Sequence, residues 1–367
     1  MRILTVCSFP IEAAATRFRV EQFVRPLADR GITVELSPFF SSQQFISLYR
    51  GGSPLKKLVG MMGGVIGRIR DVLASSRYDL LFVQREAMPF GPALFERLLQ
   101  LFGRSPIVLD LDDATYVRYV SPTYGRLGSA LKFFGKTDRL IDRSSVVICG
   151  NRYIAEYVEA RGKRAVVIPT VVDTEVFRPR EQTPEGVTPT LGWIGTHSTF
   201  QFLEPLIPTF ARLAERHRFR LKIVGSGRTE LDIPGVDVEL LDWSLDREVS
   251  DFQSLDIGLY PLETEGTLDP AWLAGKSGFK AIQYLAVGVP FVMSPVGVCG
   301  EIGEDGRTHF NAASGQDWYN SLDKLLSDKN LRSTMGEAGR RHSVATYGLE
   351  KHSTLLADTL RSVLKDR

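Results

Sequence analysis

Three carboxylates close a short apolar run in Val108-Leu109-Asp110-Leu111-Asp112-Asp113. The two-residue period of a strand sends Asp110 and Asp112 to one side and Asp113 to the other. Carboxylates at the carboxyl end of a strand are candidates for acid–base work or for binding hydroxyls. Asp113 suits an Asx turn or a helix cap equally well. The triplet could hold a metal, but neither His nor Cys joins it, and no metal is assigned to it. Gln84-Arg85-Glu86 follows a second apolar run, and Arg17 and Arg19 follow the first one in the chain, where salt bridging is the competing use.

Three later stretches suit phosphate. In Trp193-Ile194-Gly195-Thr196-His197-Ser198-Thr199 a strand ends at a glycine and a helix is expected to begin, capped by Ser198 or Thr199, with free amides that attract an anion. An ordinary capped helix explains the same residues. Val224-Gly225-Ser226-Gly227 is another strand end, for which a tight turn suffices. Gly275-Lys276-Ser277-Gly278-Phe279-Lys280 precedes an amphipathic helix and sets a lysine beside helix-start amides, a point-charge partner for a diphosphate. A lysine at the positive end of a helix dipole is otherwise poorly placed. The stretch lacks the spacing of a Walker A loop.

The elements that must carry these residues read as two α/β series. Short apolar runs at 3–7, 33–36, 79–83, 107–109, 146–149 and 166–168 alternate with helix-length segments, the mark of buried parallel strands with crossover helices. Pro179, Pro184 and Pro189 then punctuate a linker. A second series follows, with strands at 191–194, 221–224, 236–240, 257–260 and 291–293 and helices at 200–216, 247–254, 277–286 and from 316 onward. The expected fold class is α/β, two doubly wound Rossmann-like domains facing a cleft. Domains are expected at 1–180 and 181–345, with a C-terminal helix over 346–367 returning to the first.

Composition bounds the function classes. The 367 residues are 24% charged and 43% hydrophobic, which excludes a disordered or collagen-like chain. The net charge of +2 hides an asymmetry: residues 1–180 hold 26 Lys and Arg against 17 Asp and Glu, and residues 181–367 hold 19 against 26. Cys7, Cys149 and Cys299 form no CxxC pair, which favours a reducing compartment such as the cytoplasm. The longest uncharged stretch, the 20 residues from Ala281 to Gly300, is broken by prolines and glycines and is not read as a membrane span. Residues 50–77 are different. They carry Arg50, Lys56, Lys57, Arg68, Arg70 and Arg77 against the single acid Asp71, interleaved with Leu, Val, Met and Ile. Such a segment can lie on an anionic membrane, as can 126–136, whereas a core-packed helix with snorkelling lysines competes. No nucleic-acid motif is present, and nucleic acid is not expected as a partner.

At this point the residues match a pattern. The chain resembles the family-4 retaining glycosyltransferases of the two-domain GT-B fold over nearly its whole length. The resemblance is carried by Ile168-Pro169-Thr170-Val171-Val172-Asp173 with Phe177 and Pro179, by Gly192-Trp193-Ile194-Gly195, by the run Lys276 to Pro290, and by Ser294-Pro295-Val296-Gly297 with Glu301. Arg17–Val20 and Asp110–Asp113 resemble a bacterial subgroup that builds cell-surface polysaccharides. The resemblance implies a nucleotide-sugar site in the second domain and an acceptor site in the first. Gly195, Thr196 and Lys276 would hold the diphosphate, with His197, Ser198, Gly225, Ser277, Gly278, Phe279 and Lys280 around the donor and Trp243 and Ser244 near the base. Asp112 falls where many relatives carry a histidine beside the reacting sugar. Arg17, Arg19, Glu86, Asp110 and Asp113 are the candidates for the acceptor. The leaving diphosphate would take the acceptor proton, and neither metal nor cofactor is required. The chain departs from the family at three places. The loop after Gly195 lacks the usual basic residue, with His197 and Ser198 near there, and the loop Ser8 to Thr16 lacks the glycines many relatives carry near the donor phosphate. The third is a pair of carboxylates. The family's paired glutamates, separated by seven residues, fall on Gly275 and Gln283. Gln283 can still bond a ribose hydroxyl, whereas Gly275 offers no carboxylate. Transfer of a sugar to a glycan or lipid-linked acceptor is the leading expectation. A nucleotide-sugar epimerase and an inactive nucleotide-binding scaffold are the alternatives.

Overall fold

A computed structural model describes residues 1–49, 54–118, 131–181, 186–262 and 269–365. It divides into two compact units. One joins Met1–Val171, Gly275–Ser277 and Leu349–Arg367; the other joins Val172–Ala274 and Gly278–Gly348. The leading segment of the first unit ends at Val171.

The first unit is built on β1 (Arg2–Cys7), β2 (Thr33–Pro38), β3 (Leu80–Gln84), β4 (Ile107–Leu111), β5 (Val146–Cys149) and β6 (Ala165–Val167). They form one parallel sheet in the order β2-β1-β3-β4-β5-β6. Strands β1, β3, β4 and β5 are almost wholly apolar, as parallel strands covered on both faces must be. The chain order reverses between β1 and β3, which puts a topological switch point at the carboxyl ends of those strands. The helices are α1 (Ala14–Thr16), α2 (Gln22–Ala28), α3 (Ser42–Tyr49), α4 (Pro54–Ala74), α5 (Leu94–Gly103), α6 (Gly135–Arg143) and α7 (Arg152–Ala160). A π-helical turn, Arg17–Glu21, joins α1 to α2.

The second unit holds β7 (Thr190–Ile194), β8 (Arg220–Val224), β9 (Asp237–Leu241), β10 (Ile257–Tyr260), β11 (Phe291–Met293) and β12 (Phe310–Asn311). The sheet is parallel in the order β12-β11-β10-β7-β8-β9. Its switch point lies between β7 and β10. Its helices are α8 (Ile207–Ala214), α9 (Glu248–Gln253), α10 (Pro270–Ala274), α11 (Phe279–Ala286), α12 (Gly315–Ser327) and α13 (Lys329–Tyr347), and α14 (Leu349–Lys365) belongs to the first unit. The core includes Leu191, Trp193, Phe210, Leu221, Ile223, Ile257, Trp318 and Leu322.

Two expected helices start elsewhere. The expected 200–216 helix is broken because Pro205 and Pro208 each stand at the start of a new helical segment, so two 3-10 turns, Phe200–Phe202 and Glu204–Leu206, precede α8. The expected start at 277 shifts to Phe279, because Gly278 is left-handed at φ +62°. No helix among the described residues is long and apolar enough to cross a membrane. Cys7, Cys149 and Cys299 are buried without disulfides, and burial pushes their thiols up to about 11, 12 and 12.

Candidate functional site

In the first unit, the register of β3 on β4 pairs Gln84 with Asp110. That register carries Arg85 to the carboxylates beyond the end of β4. Arg85 adopts a left-handed conformation at φ +59°, uncommon for a residue with a side chain. Its Nε and Nη2 donate to the two oxygens of Asp112 at 2.5 and 2.7 Å, and Nη2 also reaches Asp113 at 2.9 Å. Burial alone would raise the Asp112 carboxyl. The Arg85 fork overrides it and holds the group below the usual carboxylate range. Gly150 follows the neighbouring strand β5, and a Cβ there would lie 2.7 Å from the Asp112 carbonyl oxygen.

Lys276 joins this cluster, with Nζ 3.7 Å from Asp113, and its carbonyl accepts from Asn151 Nδ2 at 3.2 Å. Asn151 also caps α7 through its side-chain oxygen. Gly275 is held against Ala114, whose Cβ would lie 2.1 Å from a Cβ at 275. No carboxylate side chain fits there.

The remaining first-unit candidates separate. The expected alternation fails because β4 ends at Leu111, after which Asp112 and Asp113 turn together onto Arg85. Asp110 is instead interior, bound by the Arg19 guanidinium at 2.5 to 3.1 Å, and Arg19 also donates to the Ile168 carbonyl. Burial pushes the Asp110 carboxyl up, against the pull of Arg19. Arg19 and Asp110 thus serve the interior rather than a surface open to an acceptor. Arg17 Nη1 donates to the carbonyls of Ile11 and Glu12 in its own loop. Glu86 pairs with the buried Lys136 at 2.6 Å.

In the second unit, register aligns Ile194, Val224 and Leu241, so Gly195 and Gly225 emerge side by side. A Cβ on Gly225, at φ +81°, would lie 2.4 Å from the Gly195 oxygen and 3.5 Å from Trp243 Cβ. A Cβ on Gly227 would lie 3.2 Å from His197 Cβ. Gly195, His197, Gly225 and Trp243 are therefore brought together beyond the carboxyl ends of β7, β8 and β9. Thr199 does not cap a helix. Its hydroxyl closes the loop on itself, accepting from Thr196 N at 3.1 Å, while Thr196 and Ser198 hydroxyls meet at 2.9 Å. Ser244 starts a 3-10 turn without a side-chain cap.

At the start of α11 no side chain caps the first turn, and a Cβ on Gly278 would strike Ile302 at 2.2 Å. Phe279 is buried, and Ser277 is half-buried. Gln283 is fully buried. Its oxygen accepts from Lys280 Nζ at 3.0 Å, and its Nε2 has no hydrogen-bond partner among the described residues. No cluster of metal-ligating side chains occurs among the described residues.

Sequence reasoning passed over three residues. Arg85 was visible only as a charge after a strand. Asn151 was hidden as a cap. Arg228, one residue past Gly227, lies over the Phe200 ring at 5.3 Å and pairs with Glu204 at 2.5 Å, putting a cation near the Gly195 loop.

Residues 188–328 match the family described as glycosyl transferases group 1. A D-inositol 3-phosphate glycosyltransferase of Corynebacterium aurimucosum is 26% identical over 237 residues, which is 56% of this chain and 54% of that protein. The chain thus spans about half the length of the curated relative it matches. Sucrose-phosphate synthase of Thermosynechococcus elongatus superposes with a TM-score of 0.71 at 13% identity over 100% of both chains. HepE of Anabaena, solved with UDP, superposes with a TM-score of 0.68 at 16% identity over 99% of this chain and 100% of that one. The structural likenesses show an α/β fold of the GT-B type. With the family match, they support a GT-B glycosyltransferase.

Proposed function

We propose that the protein is a family-4 retaining glycosyltransferase, moving a sugar from a nucleotide-diphosphate sugar to a glycan or lipid-linked acceptor in surface polysaccharide assembly. It would work from the cytoplasm at the inner face of an anionic membrane. One observation carries the donor assignment. The glycine-lined strand ends formed by Gly195, Gly225 and Trp243 lie inside the segment that matches group 1 glycosyl transferases.

The amides and hydroxyls of Gly195, Thr196, His197 and Ser198 receive the diphosphate, assisted by Gly225 and the uncapped start of α11 at Gly278, Phe279 and Lys280. Trp243 and Ser244 flank the base, whereas Gln283, fully buried and holding Lys280 through its oxygen, does not reach the ribose. Lys276, with Ser277 beside it, neutralises the leaving charge, the main catalytic effect. The bond from the sugar carbon to the diphosphate breaks, and its electron pair goes to the diphosphate. The acceptor oxygen bonds the same face of that carbon and passes its proton to a leaving phosphate oxygen. Asp112, held ionised, is a fixed anion for the positive charge that builds on the sugar. Glu86 and Asp113 are the acceptor-facing carboxylates, and Arg17 flanks them. No step calls on a metal or cofactor.

The test is a thermal-shift screen against UDP, GDP, ADP and their sugars, with UDP first because HepE was solved with it. A raised melting temperature with one nucleotide is expected, and a flat screen counts against the reading. Lys276→Ala should then lower turnover about 100-fold; unchanged kinetics would remove Lys276 from the diphosphate. The packing of Gly275 against Ala114 favours one second reading, a binding protein without transfer. Calorimetric nucleotide binding with no product from any acceptor would support it.

A further inference from the structure

Helix α4 packs the wrong way round for a soluble protein. Its inward stripe is Gly60, Gly64, Arg68 and Val72, at a spacing of four. A Cβ on Gly64 would lie 2.7 Å from the Phe39 ring and carbonyl oxygen, so the helix backbone lies directly on the chain that follows β2. The anchor is polar. Arg68, fully buried, donates to the carbonyls of Ala87, Cys7 and Ser37 at 2.7 to 3.0 Å and pairs with Asp71 at 2.7 Å.

The opposite face is apolar and exposed. Leu55, Leu58, Val59, Met62, Ile66, Ile69 and Leu73 recur at helical spacing and fall within an arc of about 100°. Leu73 is 74% exposed and Val59 60%. A stripe of this width normally faces a core. The core-packed alternative for this segment therefore fails for the ridge itself. Helix α5 packs against α4 and carries the exposed Leu101 and Phe102.

Charge names the occupant. Arg70 and Arg77 lie on or just beyond the helix, whereas Asp71 is engaged by Arg68 and Ser37. The unit to which the helix belongs holds 29 Lys and Arg against 18 Asp and Glu. A second copy docking through this ridge would bring its own arginines against these. An anionic bilayer offers hydrocarbon for the ridge and headgroups for the cations.

We infer that α4 is an in-plane membrane-docking helix, with Leu58, Val59, Met62, Ile66, Ile69 and Leu73 entering the acyl boundary of an anionic leaflet. The inference rests on the reading of the protein as a transferase at a membrane, and it narrows the contact. Of the second basic segment, Lys136 is buried in its pair with Glu86 and takes no part, and Arg126 and Leu127 lie outside the described residues, as does Arg50.

The test is flotation of the full chain with phosphatidylcholine vesicles, alone or mixed equally with phosphatidylglycerol. Binding to the anionic vesicles only, weakened by salt, is expected, and Ile66→Glu with Ile69→Glu should reduce it at least about tenfold. Met62→Trp should shift its emission to the blue on the same vesicles. Equal binding by the glutamate variant or equal binding to neutral vesicles overturns the inference. So does a dimer that those glutamates dissociate in a chain that never floats. The nucleotide thermal shift of the glutamate variant keeps the two readings apart. Retained shift with lost flotation supports the ridge, whereas a flat nucleotide screen with intact flotation sinks only the transferase.

Discussion

Arg85 governs what Asp112 can do. A left-handed arginine stores strain of about 1 kcal/mol or more, and it persists here because its guanidinium spans Asp112 and Asp113. Burial would raise the Asp112 carboxyl, yet Arg85 holds it below the ordinary value of about 3.9. The stabilisation this gives is complete above that ordinary value. It is lost as the pH falls below it, through the still lower folded value. Asp112 is therefore ionised throughout any neutral working range. Turnover by Asp112→Asn should fall while the pH–rate profile between about pH 5 and 8 keeps its shape. Loss of an acid limb in that variant would make Asp112 a titrating base and end this reading. Arg85→Ala leaves a buried carboxylate unpaired and should cost about 3 kcal/mol in urea unfolding, partly recovered when Asp112→Asn is added. The sequence shows the three aspartates but not their partners. Asp110 meets Arg19 across 91 residues of chain, a distance over which spacing carries no information. The strand period that predicts their sides also stops one residue too early.

At the scale of elements, strands were more legible than helix faces. A parallel strand covered on both sides has to be an apolar run, so β5, β10 and β11 coincide with the runs read from sequence. Helix α4 shows the opposite. Its apolar periodicity is plain in the sequence, but nothing in the pattern says that the inner stripe is glycine and arginine. The 200–216 segment was misread because its prolines are compatible with a helix start as well as with an interruption. The glycines of α4 separate two effects that periodicity cannot distinguish. Gly64→Ala forces a methyl group into Phe39 and should destabilise the first unit by about 1–3 kcal/mol. Gly67 has no atom within 4 Å of its Cβ position, so Gly67→Ala should stabilise by roughly 0.5–1 kcal/mol through helix propensity alone. Paired denaturant titrations measure both. Equal effects of the two substitutions would contradict the close approach at Gly64.

At the scale of the molecule, the chain begins and ends in the same unit. Assigning Gly275–Ser277 and Leu349–Arg367 to the first unit leaves the second with 16 Lys and Arg against 25 Asp and Glu. The division of charge is thus sharper than the halves of the sequence suggest. The last helix is structural. Leu356, Leu360 and Val363 of α14 are buried, Arg361 donates to the Arg30 carbonyl at 2.7 Å, and Glu350 pairs with Arg30. Burying each of those three side chains is worth about 1.5–3 kcal/mol, so together they are comparable with the roughly 5–15 kcal/mol stability of a whole domain. A chain ending at Gly348 should therefore have a strongly destabilised first unit. Calorimetry should show that unit's transition shifted down by ten degrees or more, by about 4–8 °C per kcal/mol for a small domain and less for a larger one. The core cluster of the second unit named above includes no residue of α14 among the described residues, so its transition should persist. If the shortened chain melts like the 367-residue one, α14 is only an appendage.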